Sequence, residues 1–171
     1  MRFSQAPGET AETQMEALMA SYGDSLLRLC FLYLQDQEMA RDAVQETFLK
    51  AYKKWDSFKG ESSVLTWLSR IAINTCRDMR KTAWFRLFDR RVALEDLPEP
   101  GYIQAFRDDT VLKTVSNLPE KYRVVILLYY YQELTQGEIA QALGLPVATV
   151  KTRLKRAKDQ LRTQLKGWFE A

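Results

Sequence analysis

The chain has 171 residues, enough for one ordinary domain or two small ones, and its 46% hydrophobic and 27% charged content is globular rather than disordered. It contains no histidine, which excludes histidine catalysis and the usual His-containing zinc sets, and its formal net charge is only +3. That small average conceals segregation. Lys151, Arg153, Lys155, Arg156, Lys158, Arg162 and Lys166 face one acid, Asp159; Arg70, Arg77, Arg80, Lys81, Arg86, Arg90 and Arg91 face Asp78 and Asp89. Residues 36–46 reverse the sign, with Asp36, Glu38, Asp42 and Glu46 against Arg41. Two basic blocks and one acidic helix point to two polyanion contacts and one protein contact. Cys30 and Cys76 stand on apolar-patterned stretches, so buried free thiols are expected. The N-terminus lacks a signal-peptide apolar core, and the longest apolar run, Val124–Tyr131, is far too short to span a bilayer. A cytoplasmic protein is expected.

Residues 1–12 are polar and read as frayed. Thr13-Gln14-Met15-Glu16 has the form of a capping box opening a helix to about Leu34, with Leu18, Tyr22, Leu26, Leu29 and Tyr33 on its core face. Asp36 is the expected N-cap of a second helix reaching about Trp55. Its core positions are Ala40, Ala43, Val44, Thr47, Phe48, Ala51, Tyr52 and Trp55. Arg41, Asp42, Gln45, Glu46, Leu49 and Lys53 take the remaining surface. A leucine ringed by charges suits a small docking patch, and equally a solvated face.

Residues 57–63 form a loop on Gly and Ser content, with Ser62 or Ser63 able to cap the next helix. That third helix, Val64–Lys81, places Val64, Leu68, Ile71, Ala72, Thr75 and Met79 inward. A second stripe reads Trp67, Arg70, Asn74, Arg77, Lys81. An aromatic, cations and an amide on one face can stack on bases, neutralise phosphates and donate hydrogen bonds. Asn74 is a poor helix-interior residue, which invites a side-chain role. The same stripe also suits a Trp half-packed in the core beside a solvated basic face. From Thr82 to about Asp108 periodicity fails around a Pro-Glu-Pro-Gly cluster, as in a linker between domains.

Thr110–Asn117 reads as a short helix. Leu118-Pro119-Glu120 starts another, with Pro119 at its first position, running through KYRVVILLYYYQ as a buried helix. Thr135-Gln136-Gly137-Glu138 is a capping box, Ile139, Ala140 and Leu143 give an apolar face, and Gly144 supplies a positive φ. Beyond Pro146 a last helix buries Val147, Val150, Leu154, Ala157 and Leu161 and continues toward Trp168. It presents Ala148, Lys151, Thr152, Lys155 and, less centrally, Arg156 outward. Two short helices joined by a glycine turn, the second with a small and basic outer face, form a helix-turn-helix suited to the major groove. An ordinary αα-hairpin with a solvated basic face is the plainer alternative.

In this order the motifs resemble those of bacterial sigma factors. Asp42-Ala43-Val44-Gln45-Glu46-Thr47-Phe48 resembles their polymerase-binding helix, and Thr66–Asn74 their promoter-melting helix. Glu138-Ile139-Ala140 with Leu143–Leu154 and Arg156-Ala157 resembles their C-terminal helix-turn-helix. The short two-domain length points to the extracytoplasmic-function group of the sigma-70 family. Ala43 departs from the pattern, since many members carry Leu or another larger apolar residue there; packing should feel this more than docking.

The resemblance implies an all-α chain: a region 2 helical bundle over 13–82, a flexible linker over 83–108, and a four-helix region 4 with the helix-turn-helix over 109–168. It implies an alternative sigma factor, not an enzyme, that binds core RNA polymerase and directs promoter-specific initiation. Arg41, Asp42, Gln45, Glu46 and Leu49 would dock on the clamp of the largest subunit. Lys59, Ser62, Ser63, Trp67, Arg70, Asn74, Arg77 and Lys81 would hold the melted −10 strand, with Asn74 on a base and Arg70, Arg77 and Lys81 on phosphates. Ala148, Thr149, Lys151, Thr152, Lys155 and Arg156 would read the −35 duplex. The polymerase flap, promoter DNA and an anti-sigma factor, often membrane-bound, complete the implied partners; no cofactor, metal or small-molecule substrate is implied. The rival reading is a helix-turn-helix transcriptional regulator that does not bind core polymerase stably. Such a protein has no need of a second basic stripe or an acidic docking helix.

Overall fold

The computed structural model describes residues 10–87 and 109–165, and every regular element among them is helical. The expected frayed N-terminus, the path of the linker beyond residue 87 and the last turns toward Trp168 lie outside the described residues.

Helix α1 spans Ala11–Leu34. Its N-cap is Thr10, whose hydroxyl accepts from the Thr13 N–H, so the helix starts a few residues before the capping box expected at Thr13. Both threonines have the right side chain. The earlier one takes the cap, and Met15 is buried in the core. Gln35, in the left-handed region at φ 59, ends α1. Asp36 follows at once and accepts from the Met39 N–H at 2.8 Å, starting α2, Gln37–Lys54, as expected. Ala40, Ala43 and Ala51 are fully buried, and such small side chains let paired helix axes run close. Ala43 thus sits in packing, away from the exposed face, and Thr47 satisfies its buried hydroxyl by donating to the Ala43 carbonyl.

A single 3-10 turn, Trp55–Ser57, leads into the loop. Ser63 then accepts from the Thr66 N–H at 3.1 Å and opens α3, Val64–Leu87. This helix runs six residues past the expected end at Lys81. Nothing from Thr82 to Leu87 forbids a helix; the missing apolar periodicity removed the signal without removing the propensity. Helices α1, α2 and α3 pack on one another around Leu18, Leu26, Leu29, Phe48, Leu68 and Ile73. Each such side chain contributes about 1.5–3 kcal/mol by leaving water. Cys30 and Cys76 are buried free thiols in the same core.

The second group comprises α4 (Asp109–Ser116), α5 (Glu120–Tyr130), α6 (Gln136–Leu143) and α7 (Val147–Gln164). Pro119 is the N-cap of α5 and not its first helical residue, at φ −50 and ψ 141. Thr135 and Glu138 form the complete capping box, and Gly144 ends α6 at φ 64. Helix α5 packs on α7 and α6 on one side and on α1 on another. That double cover accounts for the unbroken buried run Tyr122–Leu128. In α7, Val150, Leu154 and Ala157 are buried and Leu161 half-buried, as the spacing requires. Val147 is a correction: the first residue of α7, it is 51% exposed, and the buried stripe of that helix begins at Val150.

Candidate nucleic-acid interface

Three surfaces combine exposure with the chemistry of recognition. The first lies on α2. Its core residues face α1 and α3, which leaves Arg41, Asp42, Gln45 and Glu46 exposed and Leu49 55% exposed at their centre. Lys50 ties the helix down: its ammonium lies 3.7 Å from Glu46 and donates to the Thr75 hydroxyl of α3 at 3.2 Å. Tyr52, a core position by spacing, is 43% exposed. Three residues beyond Leu49, it shares that side of the helix and widens the apolar patch. Periodicity misplaces it because Tyr52 falls at the boundary of the buried stripe, where spacing alone cannot decide.

The second surface joins the 57–63 loop to α3. Gly60, at φ +70, turns the loop. Trp55, Phe58 and Trp67 form one aromatic cluster, with ring centroids 5.7 Å apart for Trp55–Phe58, 5.8 Å for Trp55–Trp67 and 4.9 Å for Phe58–Trp67. Trp67 is therefore half-packed, as in the plainer alternative, and still lines a cavity of about 490 Å³. Lys59, Ser62, Trp67 and Arg70 converge on that cavity. Ser63 is engaged in capping α3 and is not among the lining residues. Asn74 and Lys81 are exposed farther along the helix, about 10 Å and about 21 Å beyond Trp67 at 1.5 Å per residue. Arg77 is only partly exposed: its Nε lies 3.5 Å from Glu120 Oε1, and Arg80 Nη1 lies 3.7 Å from Oε2.

The Glu120 carboxyl sits at the centre of a cluster joining α1, α3 and α5. Tyr33, buried, donates its hydroxyl to Glu120, and the guanidiniums of Arg80 and Arg123 lie 5.8 and 5.7 Å from the Tyr33 ring centroid. Burial alone would raise the Glu120 pKa. The Tyr33 hydrogen bond and the charges of Arg80, Arg77 and Arg123 outweigh it, and the carboxyl lies below its ordinary value. Burial and that carboxylate together push the Tyr33 hydroxyl pKa up.

The third surface is the first half of α7. Ala148, Lys151, Thr152, Lys155 and Arg156 are exposed and Thr149 is half-buried. Ala148, Thr149, Thr152, Arg153 and Arg156 line a groove of about 410 Å³ whose far wall is Lys121 and Tyr122, at the start of α5. Sequence reasoning missed those two residues. Arg156, across the groove from the tyrosine hydroxyl, lowers its pKa. Only the Pro119 helix start could have signalled them, since a helix N-terminus carries partial positive charge and free N–H groups. The Glu138 carboxyl, held low by the Thr135 backbone N–H against an opposing effect of burial, keeps the capping box charged and α6 in place.

Residues 18–86 match the family model described as Sigma-70 region 2, and residues 108–161 match Sigma-70, region 4. The chain is 36% identical over 159 residues to the ECF RNA polymerase sigma factor SigW of Bacillus subtilis, covering 85% of each chain. It is 31% identical over 158 residues to the ECF RNA polymerase sigma-E factor of Escherichia coli, covering 84% of this chain and 82% of that one. The solved structure of CnrH in complex with the cytosolic domain of CnrY matches with a TM-score of 0.69 at 26% identity, over 94% of this chain and 91% of that one. The fold is shared with the sigma factor RpoE of Bartonella quintana, solved with the anti-sigma factor NepR, at a TM-score of 0.77 and 23% identity, over 90% of this chain and 97% of that one.

Proposed function

This chain belongs to the sigma-70 family, as one of its extracytoplasmic-function (ECF) members, and we propose that its three exposed surfaces divide the work of promoter-specific initiation. It binds core RNA polymerase and directs transcription from promoters with a −35 duplex and a −10 element that is melted. It makes and breaks no bond itself and acts as the specificity subunit, working in the cytoplasm. The observation that carries the residue assignments is the separate exposure of an acidic face with a central leucine on α2, an aromatic-lined basic cavity on α3, and a basic groove on α7.

In this reading Arg41, Asp42, Gln45, Glu46 and Leu49 dock on the polymerase clamp, the apolar residue giving affinity and the charges orientation. Residues 13–82 act as region 2 and 109–168 as region 4, joined by 83–108. Lys59, Ser62 and Trp67 receive an unstacked base of the non-template strand, Ser63 fixes the start of α3 beside them, and Arg70 holds a phosphate. Asn74 contacts a second base, and Arg77 and Lys81 hold phosphates. Flipping a base costs a few kcal/mol, and each base stacked on an aromatic side chain returns about 1–3 kcal/mol. Ala148, Thr149, Lys151, Thr152, Lys155 and Arg156 read the −35 duplex, with phosphate contacts fixing register and side chains on base edges fixing sequence. An anti-sigma factor restrains the chain, on the precedent of the RpoE–NepR structure, and a membrane-anchored one would hold it at the membrane.

Gel filtration of the purified chain with core polymerase, without DNA, tests this. Co-elution is expected. A chain that stays free of polymerase while shifting duplex DNA alone would instead be a helix-turn-helix regulator.

A further inference from the structure

Two arginines that no part of promoter recognition uses, Arg80 of α3 and Arg123 of α5, lie over the same ring. Their guanidinium carbons are 5.8 and 5.7 Å from the Tyr33 ring centroid. With Arg77 they set three positive charges around one carboxylate. Glu120 lies 3.5 Å from Arg77 Nε and 3.7 Å from Arg80 Nη1, and it accepts a hydrogen bond from Tyr33. Among the described residues no other carboxylate pairs with these guanidiniums. Arg123 is the floor of the cluster, at 7% exposure. Its Nη1 donates to the Ser116 carbonyl at 2.8 Å, while its Nε is buried with no hydrogen-bond partner. Arg77 and Arg80, with side chains 30% and 44% exposed, form the mouth that a solute can reach.

A buried charge is ordinarily kept only where it is paired and hydrogen-bonded, and an ion-pair cluster that merely holds helices together balances its charges. This one is left with two positive charges in excess. Arg123 registers the imbalance: burial and the neighbouring Arg80 charge both work against its charged form, outweighing Tyr33 and Glu120. We propose that Arg80 and Arg123, with Arg77 beside them, bind a small phosphate-bearing anion next to Tyr33. A phosphate carries close to two negative charges near neutral pH and several strong acceptor oxygens, which matches both the excess charge and the unsatisfied donor. Its oxygens also fit the planar fork of a guanidinium, which a spherical monovalent anion such as chloride cannot exploit. The start of α5 favours the same charge, because Pro119 caps that helix without a side-chain hydrogen bond and leaves its partial positive end open. Glu120 keeps its own contacts, and the ligand shares the arginines with it.

The test uses the full chain without DNA or polymerase, titrated calorimetrically at constant ionic strength with inorganic phosphate and, separately, with glycerol 3-phosphate. Saturable binding to one site is expected, with a dissociation constant of about 1 mM or tighter. Arg80→Gln, at a partly exposed position that folding tolerates, should weaken it by about tenfold. Arg123→Lys keeps the charge and removes the fork, and should weaken it by a similar factor. Arg162→Gln makes the same change in net charge as Arg80→Gln on the exposed side of α7 and should bind as the parent does. Tighter binding of the ester identifies a phosphorylated metabolite as the ligand; affinity no greater than that of the free ion identifies phosphate itself. Absence of saturable binding by either compound, unchanged binding in Arg80→Gln, or an equal loss in Arg162→Gln overturns the site. Co-elution with core polymerase is read on the same preparation and is independent of it. A chain that co-elutes but ignores phosphate keeps its proposed function and loses only this site.

Discussion

The hydroxyl of Tyr33, buried in α1, donates to the carboxylate of Glu120, which begins α5 eighty-seven residues later in the chain. This bond links the two helical groups, and its strength can be measured directly. Tyr33→Phe keeps the ring under Arg80 and Arg123 and removes only the donor. A charge-assisted hydrogen bond in a dry site is worth about 1.5–3 kcal/mol, but Glu120 is 45% exposed, so a loss of about 1 kcal/mol is expected. Urea denaturation of Tyr33→Phe, Glu120→Gln and the double variant should show non-additivity, because both single changes remove the same bond.

The same carboxyl predicts a pH dependence. Its folded pKa lies below the unfolded one, so its stabilising contribution is complete above the ordinary glutamate value of 4.5 and is lost as pH falls through the folded value. The stability difference between the parent and Glu120→Gln should therefore be constant near neutrality and shrink below about 4.5. A difference that grows on acidification would reverse the sign assigned here.

Leu49 offers a test of the α2 face that folding cannot confound. At 55% exposure its truncation should change stability by no more than about 0.5 kcal/mol. As the apolar centre of a docking patch, Leu49→Ala should weaken core-polymerase binding by about tenfold, a loss near 1.4 kcal/mol. Competition against the parent for limiting polymerase reads this directly, and equal competition removes Leu49 from the interface.

Asn74→Ala should improve the helix while harming function. Alanine is the better helix former by about 0.5 kcal/mol, so the variant should melt slightly higher. Polymerase binding should persist, and permanganate reactivity of thymines in the melted region should fall. Normal opening would take Asn74 out of the site.

For α7, the double change Lys155→Ala with Arg156→Ala should weaken use of the upstream element. If both side chains hold phosphates, the slope of log affinity against log salt should drop by about 2, at roughly 0.9 per contact. An unchanged slope together with lost discrimination would mean base reading in place of phosphate contact.

The helix-turn-helix was legible because three local signals coincide there: the Thr135–Glu138 capping box, the positive φ at Gly144, and the Val150–Leu154–Ala157 spacing. The all-helical fold and the exposed α2 and α3 faces follow from periodicity in the same way. What local pattern could not carry is how the halves meet. Glu120 reads from sequence as an ordinary acid in a first helical turn, and only the packing of α5 on α1 brings it to Tyr33, Arg77 and Arg80. Boundary residues failed for a related reason. Tyr52 and Val147 have the spacing of core residues, but whether a neighbour covers them depends on where the next helix ends. Lys121 and Tyr122 join the α7 groove through the crossing of two helices, which no spacing within α5 encodes.

The most direct measurement is promoter-specific initiation by a reconstituted holoenzyme. The purified chain added to core polymerase should yield transcripts with a discrete start, preceded by permanganate-reactive thymines on the non-template strand. Core polymerase that gives the same transcripts with and without the chain, or a chain that fails to join it, would contradict the account.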